Sequence, residues 1–325
     1  MTSPFDGFEV EARLRPSRQG HAFDLDGALS GIVALEAQVP GDASTAGTLG
    51  TERIGNGAVI GSNGLVLTMG YLIMEADTVT LTLGGGERVA AHVLGVDSVT
   101  GFGLVQALEP LGLPALPLGD SRGLKEASPV IIAGAGGRKH AAAGHVLTRM
   151  QFAGYWEYLI EDAIFTEPAH PHWSGAALIG ASGELLGVGS LSLQSQSRGG
   201  VAKPINMFVP SELLPPILDN LARGKPAHPP RPWLGALTHA VEDQVVIIGV
   251  NPHGPASRAE LRAGDVIRAV AGVAVSDLAD YYMQLWAQGP AGVTIALRIQ
   301  RENDVFDLDI RSVDRAALLR KPKFN

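Results

Sequence analysis

The sequence predicts a mainly β protein in which a closed barrel, or a pair of barrels, precedes a smaller α+β domain. Short apolar segments alternate with turn clusters from residue 29 to about residue 192, a spacing typical of barrels. Gly and Pro are abundant, at 41 and 21 residues, while helical periodicity is scarce, which favours strands joined by turns. The Pro-rich stretch GKPAHPPRP marks a boundary between two domains.

These features divide the chain into five parts. An N-terminal arm covers residues 1–28, a double-barrel domain covers 29–223, and the Pro-rich linker covers 224–232. The second domain covers 233–312, which is an ordinary size for a small domain, and a basic tail covers 313–325.

The strands of the first domain are predicted from apolar runs bounded by turn residues. The segment TVTLTL alternates with period two, as in a half-buried strand, and three glycines then turn the chain. A helix is predicted from a cap at Ser211 to Ala222. The predicted strands are 31–38, 57–61, 65–68, 78–83, 88–95, 104–107, 129–133, 143–149, 158–161, 176–180, 185–191 and 207–210.

The second domain mixes strand and helix patterns. Its predicted elements are a strand at 245–250, a short helix at 255–259, a strand at 266–270, a longer helix at 278–288, and strands at 293–301 and 305–310.

Composition excludes several classes of function. Hydrophobic residues make up 46% and charged residues 18%, which indicates a packed globular protein. The formal net charge of −8 argues against nucleic acid or an anionic membrane as partner. No apolar run reaches the roughly 18 residues of a membrane span. Without cysteine there is no disulfide and no thiolate chemistry. We expect no cofactor, and no metal site because His170 and His172 lack an evident third ligand.

The first 29 residues contain no apolar run of signal-peptide length, so a cytoplasmic protein is expected. A signal removed before residue 1 would instead make the protein periplasmic.

Several segments, in this order and spacing, match a known family. They are GNGAVIGSNGLVLT at 55–68, LPALPLGDS at 113–121, PHWSGAALI at 171–179, GELLGVGSL at 183–191, NMFVPSELL at 206–214, PWLGAL at 232–237 and GPASRAELRAGDVIRAVAGVAV at 254–275. The chain resembles the HtrA/Deg proteases over roughly residues 30–312. The resemblance implies a chymotrypsin/trypsin-like double β-barrel followed by a PDZ domain. It also implies a homotrimer built through N-terminal segments, for which Phe5, Phe8 and Phe23 are candidate contacts.

The same resemblance implies a catalytic triad of which this chain keeps one member. Ser174 stands at the nucleophile position, Tyr71 at the position of the histidine, and Gly101 at the position of the aspartate. A serine hydroxyl needs a base to accept its proton. A phenol, with a pKa of about 10, is weakly basic at neutral pH, and glycine has no side chain.

The resemblance also places His172 where the family has a glycine, whose N–H belongs to the oxyanion hole. His170 and His172 are the nearest alternative bases, although a residue two positions before the nucleophile usually points elsewhere. Trp173 and His172 are therefore expected to fill the former site, with Ser174 a relic in a packed turn.

The PDZ domain is expected to bind an extended peptide by strand addition, with its C-terminal carboxylate on backbone N–H groups and its last side chain in an apolar pocket. The alternative is that these residues only pack the domain. The predicted peptide-binding residues are Trp233, Leu234, Gly235, Ala236, Leu237, Tyr282, Leu285 and Trp286.

Together these observations predict a pseudoprotease that binds other proteins through its PDZ groove and barrel surface, as a scaffold or chaperone-like factor. Two alternatives remain open. One is an active serine endopeptidase that uses Ser174 with an unusual base. The other is a structural subunit whose PDZ groove is blocked by Tyr282 or by the chain's own tail.

Overall fold

The chain folds into two compact units. The computed structural model describes residues 4, 5, 7–195 and 202–320. Within that range, the first unit contains the residues up to 150, residues 162–227 and residue 320. The second unit contains residues 151–161 and 228–319.

The first unit begins with a closed six-stranded barrel. Its strands pair in the order β1-β2-β3-β6-β5-β4, and closure leaves no free strand edge. The strands are β1 (Ile32–Gln38), β2 (Glu52–Gly61), β3 (Leu65–Met69), β4 (Thr78–Thr82), β5 (Arg88–Val96) and β6 (Phe102–Ala107).

A second closed barrel of six strands follows in the same unit. Its order, β10-β11-β12-β9-β8-β7, is the order of the first barrel read in the opposite direction. The two barrels therefore share one topology. The strands are β7 (Pro129–Ala133), β8 (Ala141–Gly154), β9 (Tyr158–Glu167), β10 (Ala177–Ile179), β11 (Leu185–Gln194) and β12 (Pro204–Pro210).

Short helices connect these strands. They are α1 (Leu25–Ser30), α2 (Ala46–Leu49), α3 (Gly70–Ile73) and α4 (Pro215–Ala222), with 3₁₀ turns at Ala12–Leu14, Ser121–Gly123, Gly137–His140 and Ser211–Leu213. The predicted cap at Ser211 is the start of a 3₁₀ turn, and the α-helix begins at Pro215, where proline is favoured in the first turn.

The second unit is a sheet packed against one longer helix. The sheet order is β13-β14-β15-β17-β18, with β16 paired to β15, so β13 is an edge strand. Tyr281 and Leu285 of the helix α6 are fully buried in its core. The elements are β13 (Ala236–Val241), β14 (Gln244–Val250), α5 (Pro255–Arg258), β15 (Val266–Val270), β16 (Val273–Ala274), α6 (Leu278–Ala287), β17 (Thr294–Arg301), β18 (Asp304–Arg311) and a 3₁₀ turn at Arg315–Leu318.

The predicted fold class is confirmed, but one hairpin is longer than its sequence pattern indicates. The first strand of this hairpin was predicted to end at 149 and the second to begin at 158. In the structure the first strand, β8, continues to Gly154. Residues 151–161 cluster with the second unit rather than with the barrels, so the predicted 29–223 boundary does not describe this segment. A barrel hairpin therefore contributes to the second unit.

The predicted N-terminal arm packs on the first unit. The described part of the predicted basic tail is divided, since residues 313–319 belong to the second unit and residue 320 to the first. The N–H of Val10 donates to the carbonyl oxygen of Lys139 at 2.8 Å. Phe5 is only 6% exposed within the single chain, so its ring is largely covered without a second subunit. The trimer contact remains a prediction. Among the described residues, no helix is long and apolar enough to cross a membrane.

A buried carboxylate of the first barrel binds the backbone of Arg320. Glu75 is 5% exposed, and it accepts hydrogen bonds from the N–H and hydroxyl groups of Ser44 and Thr45, at 2.6–3.2 Å. The backbone N–H of Arg320 donates to the same carboxylate at 2.8 Å. A buried charge is tolerated here because several donors surround it.

Replacing this carboxylate should destabilise the first unit. We expect Glu75→Gln to lower the free energy of unfolding at pH 7 by about 2 kcal/mol, because bonds to a charged acceptor are worth about 1.5–3 kcal/mol and the amide replaces one acceptor by a donor. Urea denaturation measures the change. The exposed Glu87 on the same barrel supplies the control, Glu87→Gln, with an expected change within about 0.5 kcal/mol.

The effect should depend on pH with a defined sign. Burial alone would raise the pKa of Glu75, but the bonds from Arg320 and Thr45 hold it below its usual 4.5. A lowered pKa stabilises the fold above pH 4.5, and this contribution disappears as pH falls through the folded value. The difference between wild type and Glu75→Gln should shrink in acid; a pH-independent difference would contradict this role for the carboxylate.

Candidate active site and peptide-binding groove

Ser174 lies in a tight turn just before β10. Gly175 adopts φ +71, and its N–H donates to the carbonyl oxygen of Gly189 at 2.8 Å. A side chain at position 175 would place its Cβ 2.0 Å from the carbonyl oxygen of Asn56, so only glycine fits between this turn and β2. Ser174 is half-buried there.

The amide of Asn56 holds this turn against β2. Its Nδ2 donates to the carbonyl oxygens of His172 and Ser174 at 2.8 and 3.0 Å, and its Oδ1 accepts the N–H of Ala135 at 2.8 Å. The N–H of Asn56 also donates to the Ser174 carbonyl at 2.8 Å. Asn56 is fully buried, and removing its amide would leave three backbone groups without this partner.

Tyr71, at the start of α3, lies beside the serine. The two hydroxyl oxygens are 2.7 Å apart, and the Tyr71 hydroxyl also donates to the carbonyl oxygen of Ser190 at 3.0 Å. A phenol has one proton. Since that proton goes to the Ser190 carbonyl, the Ser174 hydroxyl is the donor in the bond to Tyr71.

This arrangement keeps the phenol neutral. Burial raises the pKa of Tyr71 well above its usual 10, and the hydrogen bond with Ser174 only partly opposes that rise. The group that contacts Ser174 is therefore a protonated phenol whose oxygen is a weak base at neutral pH.

Gly101 lies next to the same segment through its backbone. Its carbonyl oxygen accepts the N–H of Gly70 at 2.7 Å, and its own φ of +79 lies in the left-handed region. The structure thus places position 101 beside the chain that carries Tyr71, but it offers no carboxylate there. The expected grouping of 71, 101 and 174 is what the fold produces.

His170 is not oriented toward Ser174. The N–H of His172 donates to its Nδ1 at 3.1 Å, so its other nitrogen, Nε2, carries the proton and donates to the carbonyl of His140 at 3.0 Å. Burial lowers the pKa of His170 to about 4, which keeps the ring neutral. Its one lone pair is occupied by a backbone donor.

His172 differs from an oxyanion-hole glycine in two ways. Its N–H is already bonded to His170. Its ring packs against the arm, with centroids 4.4 Å from Phe5 and 4.8 Å from Phe8, and burial lowers its pKa. Among the described residues, Tyr71 is the side-chain hydrogen-bond partner of Ser174, and neither histidine bonds to it.

The predicted PDZ groove lies between β13 and α6. The N–H groups of Leu234, Gly235 and Ala236 point to one place, where each donates to a carboxylate at 2.9–3.4 Å. The N–H of Trp233 does not join them, because it donates to the carbonyl of Val313 at 3.0 Å. Trp233 is therefore not one of the backbone donors to this carboxylate.

The predicted pocket residues are largely part of the domain core. Leu234, Tyr282 and Leu285 are all fully buried, while Leu237 is half-buried. Trp286 is also half-buried and stacks on Tyr282, with ring centroids 5.5 Å apart. Most of these residues pack the core of the domain, and their role in lining a peptide groove remains a prediction.

Three residues of these sites were missed in the sequence. Asn56 and Ser190 act through an amide and a backbone carbonyl inside strand segments, where periodicity gives no functional signal. The third is Glu157, whose carboxylate occupies the loop of Leu234 to Ala236. The sequence pattern predicts that a glutamate in a hairpin turn is exposed to solvent. Its burial here results from contacts with residues that are distant in sequence.

No group of three or more His, Cys, Asp or Glu side chains that could hold a metal ion occurs in the described part of the chain.

Comparisons with known proteins give the same two domains. Residues 55–188 match the trypsin-like peptidase domain and residues 232–311 match the PDZ domain. A probable periplasmic serine endoprotease, DegP-like, from Halomonas elongata is 24% identical over 264 residues, covering 77% of this chain and 54% of that protein. The serine protease Do-like HtrA of Lactobacillus helveticus is 25% identical over 318 residues, covering 87% of this chain and 75% of that protein. The chain thus spans between about half and three quarters of the length of these relatives.

A solved structure has the same fold. The HtrA-type protease AlgW with decapeptide superposes with a TM-score of 0.54 at 21% identity, covering 92% of this chain and 98% of that one. Several relatives are named as periplasmic, so the comparisons do not support the expected cytoplasmic location. The chain therefore contains a trypsin-like peptidase domain followed by a PDZ domain, and it is similar to HtrA-type serine proteases that share this domain order.

Proposed function

We propose that this chain is a non-catalytic member of its family that binds other proteins through the PDZ domain. The observation that carries the proposal is the bond between Ser174 and Tyr71, because the phenol donates its only proton to the Ser190 carbonyl. A nucleophilic serine must give its proton to a base as it attacks. A neutral phenol that accepts a proton becomes a strong acid and gives the proton up again. Tyr71 therefore does not act as the base that the serine requires.

The backbone around the serine supports the same conclusion. Acyl transfer needs N–H groups aimed at the developing oxyanion, and losing one such donor typically costs about 100- to 1000-fold in rate. The N–H at position 172 donates to the Nδ1 of His170 instead. The site therefore lacks both a general base and one of the hydrogen-bond donors of an oxyanion hole.

The PDZ domain retains what binding requires. Three successive N–H groups, those of Leu234, Gly235 and Ala236, converge on a carboxylate, and β13 is the edge strand of its sheet, where an extended peptide can add. The family relative AlgW has been solved with a decapeptide. We infer that the partners are proteins presenting an extended segment with a terminal carboxylate.

The named location of several relatives supports the periplasm as the compartment of this function. A scaffolding or chaperone-like role follows if the barrels present bound partners without cleaving them. A homotrimer remains part of the proposal.

Catalysis is tested with a fluorophosphonate probe and unfolded casein. We expect no labelling of Ser174 and no casein cleavage above that of Ser174→Ala, because the serine has no competent base. Trypsin in a parallel reaction confirms that the probe and the casein react. Labelling or cleavage that disappears in Ser174→Ala would overturn the proposal and favour the active endopeptidase.

Binding is tested on an array of decapeptides presented with a free or an amidated C-terminus. We expect the full-length chain to prefer the free carboxylate and Gly235→Ala to lose that preference. Gly235 has φ +76, and a Cβ there would lie 2.8 Å from the Trp233 ring. Gly84→Ala, at a position with open space, is the control. Equal binding of free and amidated peptides would contradict the assigned groove.

A further inference from the structure

The carboxylate-binding loop of the PDZ domain is already filled by the chain itself. The Oε1 of Glu157 accepts the N–H of Gly235 at 2.9 Å and those of Leu234 and Ala236 at 3.2 and 3.4 Å. Its Oε2 lies 3.3 Å from the nitrogen of Leu234. Glu157 is 7% exposed, so the carboxylate is withdrawn from water into the loop.

The residues before Glu157 also bind in the manner of a peptide. The N–H of Thr238 on β13 donates to the carbonyl oxygen of Tyr155 at 2.9 Å. Ala236 contacts Glu157, and Thr238, two residues later on β13, contacts Tyr155, two residues earlier in the hairpin. That is the register of an antiparallel strand added to the free edge of the sheet.

Tyr282 of α6 closes the other side of this segment. Its hydroxyl donates to the carbonyl of Gly154 at 2.6 Å and accepts the N–H of Glu157 at 3.2 Å. With its own proton used, the Tyr282 oxygen accepts the hydroxyl of Thr238 at 2.8 Å. Residues 154–157, called the tip below, are therefore bonded on both groove walls.

Glu157 also adopts a backbone conformation that is uncommon for a residue with a Cβ. Its φ is +58, in the left-handed region that disfavours residues with a Cβ. Glycine or asparagine would suit this turn better, so turn geometry does not account for a glutamate.

We propose that the tip is an intramolecular ligand of the PDZ groove, with the Glu157 side chain in place of a C-terminal carboxylate, so that a partner binds only by displacing it. This inference deepens the proposed function and rests on it for the identity of the groove. It assigns the competing ligand as an extended segment that ends in a free α-carboxylate.

Displacement makes binding a competition between the Glu157 carboxyl group and the α-carboxylate of the partner for the same N–H groups. The affinity measured for a partner is its intrinsic affinity reduced to the fraction of molecules whose groove is open. The covalent link through β8 and β9 keeps the tip at a high local concentration. Loosening the tip should therefore strengthen the binding of outside ligands, whereas loosening an ordinary packing contact would weaken it.

The first test measures hydrogen exchange at the amides of Leu234, Gly235 and Ala236 in the full-length chain. We expect Glu157→Ala to speed their exchange at least about 10-fold, because their acceptor is removed. Glu161→Gln, at an exposed position on the same hairpin, removes one charge and should leave exchange unchanged. Thermal unfolding curves first establish that both proteins are folded. Equal protection of these amides in wild type and Glu157→Ala would then contradict the inference.

The second test measures competition by fluorescence anisotropy. The probe is a labelled peptide of residues 151–157 that carries Glu157→Ala and ends in a free α-carboxylate; its amidated form is the blank. We expect Glu157→Gln and Glu157→Ala to bind it at least about 10-fold more tightly than wild type and Glu161→Gln do. Equal affinities in all four proteins would overturn displacement.

The two tests separate this inference from the proposed function. Faster exchange in Glu157→Ala without peptide binding by any variant leaves the tip as an internal ligand but removes the groove as a partner site. Peptide binding without any change in exchange supports the groove and removes the internal ligand.

Peptide affinity should also rise with pH in the wild-type protein. Burial raises the pKa of docked Glu157 to about 7, opposed by the N–H groups of its loop and by the Arg315 charge. Tyr281 and Tyr282 also face it, and both stay protonated because burial raises their pKa. Docking is therefore fully favoured below the usual value of 4.5 and weakens as pH rises through about 7.

The α-carboxylate of the peptide, with a pKa of about 3.5, remains ionised throughout. Wild-type affinity should increase by up to about 10-fold per pH unit between pH 5 and 7 and then level off. Glu157→Gln should show a flat profile, since the other titratable groups are common to both proteins. Parallel profiles for the two proteins would rule out Glu157 as the titrating group.

Discussion

The buried amide of Asn56 is the interaction on which the candidate catalytic site depends. A buried polar group must find partners, and this one finds them in the carbonyls of His172 and Ser174 and the N–H of Ala135. Gly175 lets the turn approach β2 closely enough for those bonds. The position of Ser174 is thus fixed by backbone bonding and close packing, neither of which requires catalysis.

The same rule explains how the site is filled. Catalysis needs polar groups held ready without partners, a base with a free lone pair and N–H groups facing an empty position. Here the Tyr71 proton, the His170 lone pair and the His172 N–H each have a partner within the chain. Each bond lowers the energy of the resting protein and removes a group that an active protease would reserve for its transition state.

Sequence reasoning predicted the fold and part of the sites. Strand periodicity and family motifs, which depend on local order along the chain, predicted the two barrels and the PDZ domain. The family motifs also placed Tyr71 near Ser174, as the structure shows. The bond of Tyr71 to Ser190 and the seat of Glu157 were not predicted. Both join residues more than 75 positions apart, and hydrophobic periodicity carries no information on such pairs.

The two filled sites differ in how readily each could open. Around Ser174 the N–H of His172 is bonded to the buried His170, and the Tyr71 hydroxyl is bonded to a backbone carbonyl of β11, so freeing these groups requires breaking bonds inside the barrel domain. Glu157 sits in a turn with an unfavourable φ, beside the half-exposed Tyr155, and a carboxylate that leaves the loop regains its hydration. A competing carboxylate restores every bond in the loop. Exchange of ligands in the proposed groove would therefore carry little net cost in hydrogen bonds, whereas opening the serine site would break bonds that nothing replaces.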